Sequence, residues 1–205
     1  MRVLFYQMEI SIDTKKHIIN SLTALRTTMK AIILGILLFT VNLCFAYSRS
    51  DLNQWHDTNS CINCDLSRIT IYGKDHNSAT LENAKMFYSD IKSSYFRQSN
   101  FSGVYLTKST VHSSFFTECD FTNAHLNLVN FSDNTFSGAK FINADLQNSD
   151  FSNSNLSSTD FTDAKLDGAN LTGTILIGSN LSPEQLSKAK SLKHAVLPDG
   201  SLASE

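Results

Sequence analysis

With a single exception, every fifth residue from Leu66 to Leu181 is large and apolar, and this regularity constrains the chain more than any other feature in it. The file runs Leu66, Ile71, His76, Leu81, Met86, Ile91, Phe96, Phe101 and onward to Leu171, Leu176 and Leu181; 23 of its 24 positions are apolar, and His76 is the exception. Apolar residues are 41% of the sequence, so composition alone does not produce such a file. Two residues before each apolar position stands a small residue in most units, as in Ser89, Ser109, Ala124, Ala144, Ser149 and Ala164. The residue between is often Asp or Asn, as in Asp145, Asp150, Asp160 and Asn170. Each unit therefore reads small, polar, large apolar, polar, polar.

Neither regular element accommodates a period of five. Five residues of α-helix rotate the chain by about 500°, so the apolar stripe would wander around the cylinder. A strand would place successive units on opposite faces. A chain that turns one corner per unit keeps every apolar residue pointing inward, and the result is a coil whose turns stack. The number of corners follows from the columns. At intervals of 20, Leu66, Met86, Leu106, Leu126, Leu146 and Leu166 form a column without aromatics, whereas Leu81, Phe101, Phe121, Phe141, Phe161 and Leu181 carry Phe at every internal place. Four units per turn predict a square solenoid of six coils, roughly 29 Å long at about 4.8 Å per coil.

The units AHLNL, AKFIN, ADLQN, AKLDG and ANLTG resemble the A(D/N)LXX motif of the pentapeptide-repeat family over about residues 60–181. The resemblance implies an all-β fold, a right-handed quadrilateral β-helix of about six coils with a short C-terminal capping helix. Ile69, Lys74, Val104, Val129 and Asn134 stand where a small residue is expected, and His76 occupies an inward place. Distortion is expected in the first coil and beside those positions, with a kink releasing His76 to solvent.

Open solenoid ends need covers. Ser182-Pro183-Glu184-Gln185 combines an N-cap, a proline at the first helical position and Gln three residues after the cap, which predicts a helix over about 183–190 laying Leu186, Ala189 and Leu192 on the last coil. At the other end, Leu52 and Trp55 are placed to plug the coil from a short helical turn. The chain thus divides into an N-terminal extension, 1–28; a signal peptide, 29–46; an N-terminal cap, 47–60; the β-helix, 61–181; and a capping helix with its tail, 182–205.

The signal assignment rests on Lys30, the apolar run Ala31 to Ala46 and the small residues of Cys44-Phe45-Ala46. Sixteen residues, Thr40 and Asn42 among them, are short for a bilayer span. Cleavage after Ala46 from a start at Met29 is expected, giving a periplasmic or secreted protein with no stable membrane span; an uncleaved signal anchor is the alternative. The remaining 47–205 carry 12 Lys plus Arg against 17 Asp plus Glu, and this acidic balance argues against direct nucleic-acid binding. Cys61 and Cys64 are open to two readings, a local disulfide in an oxidising compartment or two small buried thiols. No metal or cofactor signature and no catalytic motif is present.

Function then turns on the outward residues. Phe87, Tyr88, Tyr95, Tyr105 and Phe115 fall on outward or corner places, and together they are the candidate surface for an unidentified protein partner. A homodimer through a solenoid end is a further expectation. The leading reading is a non-enzymatic, exported scaffold or interaction surface. The alternative is a DNA-mimicking, gyrase-binding and gyrase-protecting protein, a role the resemblance implies for cytosolic members.

Overall fold

The computed structural model describes residues 47–203. Helix α1 (Arg49–Thr58) is followed by coils of four short parallel β-contacts each, and helix α2 (Pro183–Lys188) interrupts the last turn. Residues pair with the residue 20 positions on: Asp65 with Lys85, Tyr105, His125, Asp145 and Lys165 in succession on one face, and likewise on the other three. Among the described residues three contacts lengthen into strands, β1 (Thr70–Tyr72), β2 (Asp90–Lys92) and β3 (Thr110–His112), stacked in register as a three-stranded parallel sheet. The fold is a right-handed quadrilateral β-helix.

The corner has a single geometric device. Every fifth residue from Asn63 to Gly178 takes a φ between +50° and +73°, without exception. A left-handed residue costs an L-amino acid energy that glycine escapes and asparagine and aspartate bear more easily than most. Gly or Asn fills 12 of the 24 positions, and Val, Ile and Thr fill none. One residue earlier, where φ is ordinary, β-branched residues are frequent: Ile62, Thr107, Thr117, Thr122, Ile142, Thr162, Thr172 and Ile177.

The other polar places have their own causes. At the pairing position, Asp or Asn accepts a hydrogen bond from the backbone N–H two residues on, as Asp65 does from Ser67, Asp120 from Thr122, Asp150 from Ser152 and Asn170 from Thr172. Where it occurs, this Asx turn fixes the entry to the corner. The small residues work inside the coil. Ser89, Ser99, Ser109, Ser154 and Thr159 each donate a hydroxyl to the carbonyl 23 residues back, in the preceding coil. Cys119 donates its Sγ–H to the Phe96 carbonyl in the same way, at 2.7 Å.

Asn134 extends this ladder and does not disturb it. Its Oδ1 accepts from the Ser114 N–H at 2.8 Å, and its Nδ2 donates to the Val111 carbonyl at 2.6 Å and to the Ser132 carbonyl at 3.0 Å. Val104 and Val129 are buried within the regular hydrogen-bond ladder. The distortion expected at these places is absent because a branched side chain fits where its neighbours one coil away, Ala84 and Ala124 around Val104, are small.

The core is a set of columns at the coil spacing. Phe101, Phe121, Phe141 and Phe161 stack at 4.8, 4.9 and 5.4 Å with nearly parallel rings. Phe96, Phe116 and Phe136 stack at 5.2 and 5.1 Å. Between columns the rings meet edge to face, as Phe131 meets Phe136 at 85°. Both arrangements suit the aromatic quadrupole.

His76 continues the Phe96 column. It is half-buried, stacked between Trp55 at 4.3 Å and Phe96 at 5.5 Å, with Nδ1 2.9 Å from Asn59 Oδ1. The backbone there is regular, so the expected kink does not occur: stacking holds the ring inward. Burial first, then the neighbouring His56 and Lys74 charges, hold its pKa below the ordinary value, against the opposing pull of Asp75.

The covers replace missing coils with side chains. Asp51 in α1 accepts the Asp65 N–H at 2.8 Å, and the Ser48 N–H donates to the Asp65 carbonyl. Trp55 is fully buried under the first coil, and Leu52 packs beside it. At the other end the Ser182 and Gln185 capping box is complete, and Gln185 Nε2 donates to the carbonyls of Phe161 and Ala164. Helix α2 stops at Lys188, short of the expected 190, because Ala189 turns to extended backbone and lets the chain rejoin the ladder. Ser191 and Val196 pair with Asn170 and Ile175 at a spacing of 21, so the segment after the helix is a partial further coil. Leu186, Ala189 and Leu192 pack against the core.

Asn123→Val, at a left-handed corner, should lower the unfolding free energy by about 1–3 kcal/mol, whereas Thr122→Val one residue away should change it by less than about 0.5 kcal/mol. Urea denaturation of both variants measures the contrast. Because the native fold disfavours the protonated His76 ring, the unfolded chain binds the extra proton first, and stability should fall as pH drops below about 6.5. His76→Phe should flatten that part of the melting-temperature profile between pH 7 and 5.

Candidate functional site: the lateral aromatic surfaces

Because like positions recur every 20 residues, an outward side chain meets its counterparts above and below it on one face. On the face of Lys85, Tyr105 and His125, the Tyr105 ring stacks on the His125 imidazole at 4.3 Å and 6°. Phe87, half-buried, leans on Tyr105 at 5.6 Å. The adjoining corner column contains Arg68, Tyr88, Lys108 and Leu128, all in the left-handed conformation. There the Tyr88 ring, 55% exposed, has the Arg68 guanidinium 5.8 Å and the Lys108 ammonium 5.9 Å from its centroid. Leu128 is 48% exposed beside them.

Tyr95 and Phe115 lie elsewhere. They pair on the face two corners away and stack at 5.0 Å and 4°. Next to them the corner carries Arg97, Gln98 and Glu118, with Gln98 Nε2 donating to Glu118 Oε2 at 2.8 Å. The five aromatics expected to share one surface therefore form two clusters on opposite faces. Residues ten apart are two quarter-turns apart, so Tyr95 cannot join Tyr105, however close the two stand in sequence.

Sequence reasoning missed His125 on the face and three members of the cluster at the corner: Arg68, Lys108 and Leu128. The signal of those three was available, since they share the spacing of 20 with Tyr88, but each alone reads as a solvated corner. Cys61 and Cys64 are joined in a disulfide across the first corner. Cys119 is buried, and burial pushes its pKa up to about 12, so it is a structural thiol and not a nucleophile.

Among the described residues no group of His, Cys, Asp and Glu is arranged to hold a metal ion. His112 Nδ1 and Ser113 Oγ stand 3.2 Å apart at an exposed corner, and among the described residues no carboxylate is hydrogen-bonded to the ring. Among the described residues no helix is long and apolar enough to cross a membrane. The segments 1–28 and 29–46 lie outside the described residues. What the surface offers is aromatic rings stacked and half-exposed on a regular face, an arrangement suited to contact.

Several known proteins are similar to this chain. A pentapeptide repeat protein of the Arabidopsis thaliana thylakoid lumen is 26% identical, covering 64% of this chain and 75% of its own, with a TM-score of 0.30. Rfr23 of the cyanobacterium Cyanothece 51142 is 19% identical over 61% of this chain and 92% of its own, with a TM-score of 0.27. QnrB1, a plasmid-mediated fluoroquinolone resistance protein, is 15% identical over 68% of this chain and 91% of its own, with a TM-score of 0.36. Superpositions at these scores carry no argument of their own. No curated protein sequence matches. The profile of the pentapeptide repeat region matches residues 109–191, in which the left-handed corners run without a break as far as Gly178 and the five-residue file as far as Leu181. On the repeat, its corners and that match, residues 109–191 are a pentapeptide repeat region.

Proposed function

We propose that this protein is a non-enzymatic, exported rod that presents the Phe87, Tyr88, Tyr105 and His125 surface, with Arg68 and Lys108, to a protein partner. The observation that carries the reading is the set of aromatic rings held half-exposed on a rigid face, bracketed by two cations. Aromatic residues and arginine dominate the energetics of protein interfaces, and a preformed surface loses little entropy on binding. Tyr95 and Phe115 offer a second, separate contact on the opposite face. Export is supported by the apolar run before Ala46 and by the Cys61–Cys64 disulfide, which persists in oxidising compartments.

The gyrase-protecting alternative needs a continuous acidic face. The Tyr105 face alternates Asp65, Lys85, Asp145 and Lys165, and the Asp120 face sets Lys140 between Asp120 and Asp160. Neither offers a stripe of one sign.

Tagged full-length chain crosslinked in cells of its host should retain a partner that the Tyr88→Ala/Tyr105→Ala variant loses by about thirtyfold in affinity, the cost of truncating an interface hot spot. Equal retention by the variant overturns the surface assignment. Sequencing the N-terminus of the recovered protein checks cleavage after Ala46. Relief of fluoroquinolone inhibition in a gyrase supercoiling assay would favour the alternative.

A further inference from the structure

The N-terminal cover closes only half of the coil. On the Tyr105 face, the outward N–H and C=O of Asp65 are taken by Asp51 Oδ2 and the Ser48 N–H. On the Asp120 face, the Ser60 N–H donates to Thr58 Oγ1, and the Ser60 carbonyl accepts from Thr58 Oγ1 and Gln54 Nε2. Strand β1 receives no such cover. Its register with β2 engages Ile69, Ile71 and Gly73, as in the bonds from the Asp90 N–H to the Ile69 carbonyl and from the Gly73 N–H to the Lys92 carbonyl. This turns the N–H and C=O groups of Thr70 and Tyr72 away from the second coil, where among the described residues they meet no partner. Both residues are exposed, and Tyr72 is 70% exposed.

A groove of about 340 Å³ runs along this edge, between β1 and α1. Its apolar wall is Leu52, Trp55, Ile69 and Ile71, and the buried Trp55 indole N–H has no hydrogen-bond partner. Its charged residues are Arg68 and Lys74, and no carboxylate lines it. Three acids at this end make hydrogen bonds of their own, Asp51 with the Asp65 N–H, Asp65 with the Ser67 N–H, and Asp75 with the Asn77 N–H, and Asp57 is exposed on α1 outside the groove lining.

We propose that this edge is a strand-addition site for an extended peptide segment bearing a carboxylate. The peptide backbone would continue the β1–β2–β3 sheet by one strand, using the free groups of Thr70 and Tyr72. Alternate side chains would enter the apolar groove, and the carboxylate would face Arg68 and Lys74. An exposed strand edge is a template for pairing, and this one, though three residues long, has no proline, no bulge and no inward-pointing charge.

A phage-displayed random heptapeptide library selected on the full 205-residue chain tests the assignment. The expected result is enrichment of peptides carrying Asp or Glu. Such a peptide, remade synthetically, should bind Thr70→Pro and Lys74→Glu at least about tenfold more weakly than wild type. Thr70→Pro removes only the outward donor, so the melting temperature should stay within about 2 °C. N-methylation of the peptide at alternate residues should abolish binding in one phase and spare it in the other. Should Thr70→Pro prove unfolded, the N-methyl series decides alone. Absence of enrichment, equal binding to Thr70→Pro, or indifference to N-methylation overturns the proposal. Neither Tyr88 nor Tyr105 lines the groove, so failure here and failure of the lateral surface are told apart by which variants lose binding.

Discussion

The left-handed residue at each corner sets everything else in this structure. It turns the chain through a quarter of a coil once in five residues, and its strict recurrence from Asn63 to Gly178 keeps the coils in register at 20. Register at the strand spacing then brings like side chains over one another, so a file of Phe becomes a stack of rings near 5 Å apart. Without the corner, the same apolar residues would have no common inside. Gly103, Gly168 and Gly173 show a second demand at these corners: an added Cβ would come within 3 Å of the Asn side chain one coil below.

Hydrogen bonding inside the coil makes the small residues more than spacers. A hydroxyl at that place reaches the carbonyl of the preceding coil, and Asn134 and Cys119 substitute for Ser in the same role. Ser89, Ser99, Ser109, Ser154 and Thr159 tie successive turns together in this way beyond the backbone ladder, whereas Ser94, Ser114, Ser149 and Thr174 donate within their own coil. A repeat protein stabilised by such neighbour contacts needs its ends covered, and here the covers are partial and built from side chains. Asp51, Gln185 and Asn180 each stand in for a carbonyl or N–H that a further coil would have supplied.

Much of this was written plainly in the residues. The period of five, the columns at 20 and the capping sequence Ser182-Pro183-Glu184-Gln185 all follow from side-chain identity, because each is a local preference repeated many times. The sorting of β-branched residues into one corner position and out of the next was equally visible and would have located the left-handed residue. The fate of His76 was not legible. Its place in the column is clear, but its inward stacking depends on Trp55, 21 residues earlier, whose angle of approach is set by α1. The partner surface was half legible: the outward aromatics could be counted, but assigning them to one patch ignored the quarter-turns between them.

The sequence by itself determined the coil, its four-cornered cross-section and the composition of its inside, since a period repeated 24 times admits one way of burying its apolar residues. Only the tertiary structure decided which outward residues meet and which backbone groups remain open. Arg68, Tyr88 and Lys108 become neighbours through stacking alone, and among the described residues Thr70 and Tyr72 stay unpaired because α1 lies across two faces of the end and not across theirs. Those are contacts between distant parts of the chain, set by how one element lies on another, and no repeat unit encodes them.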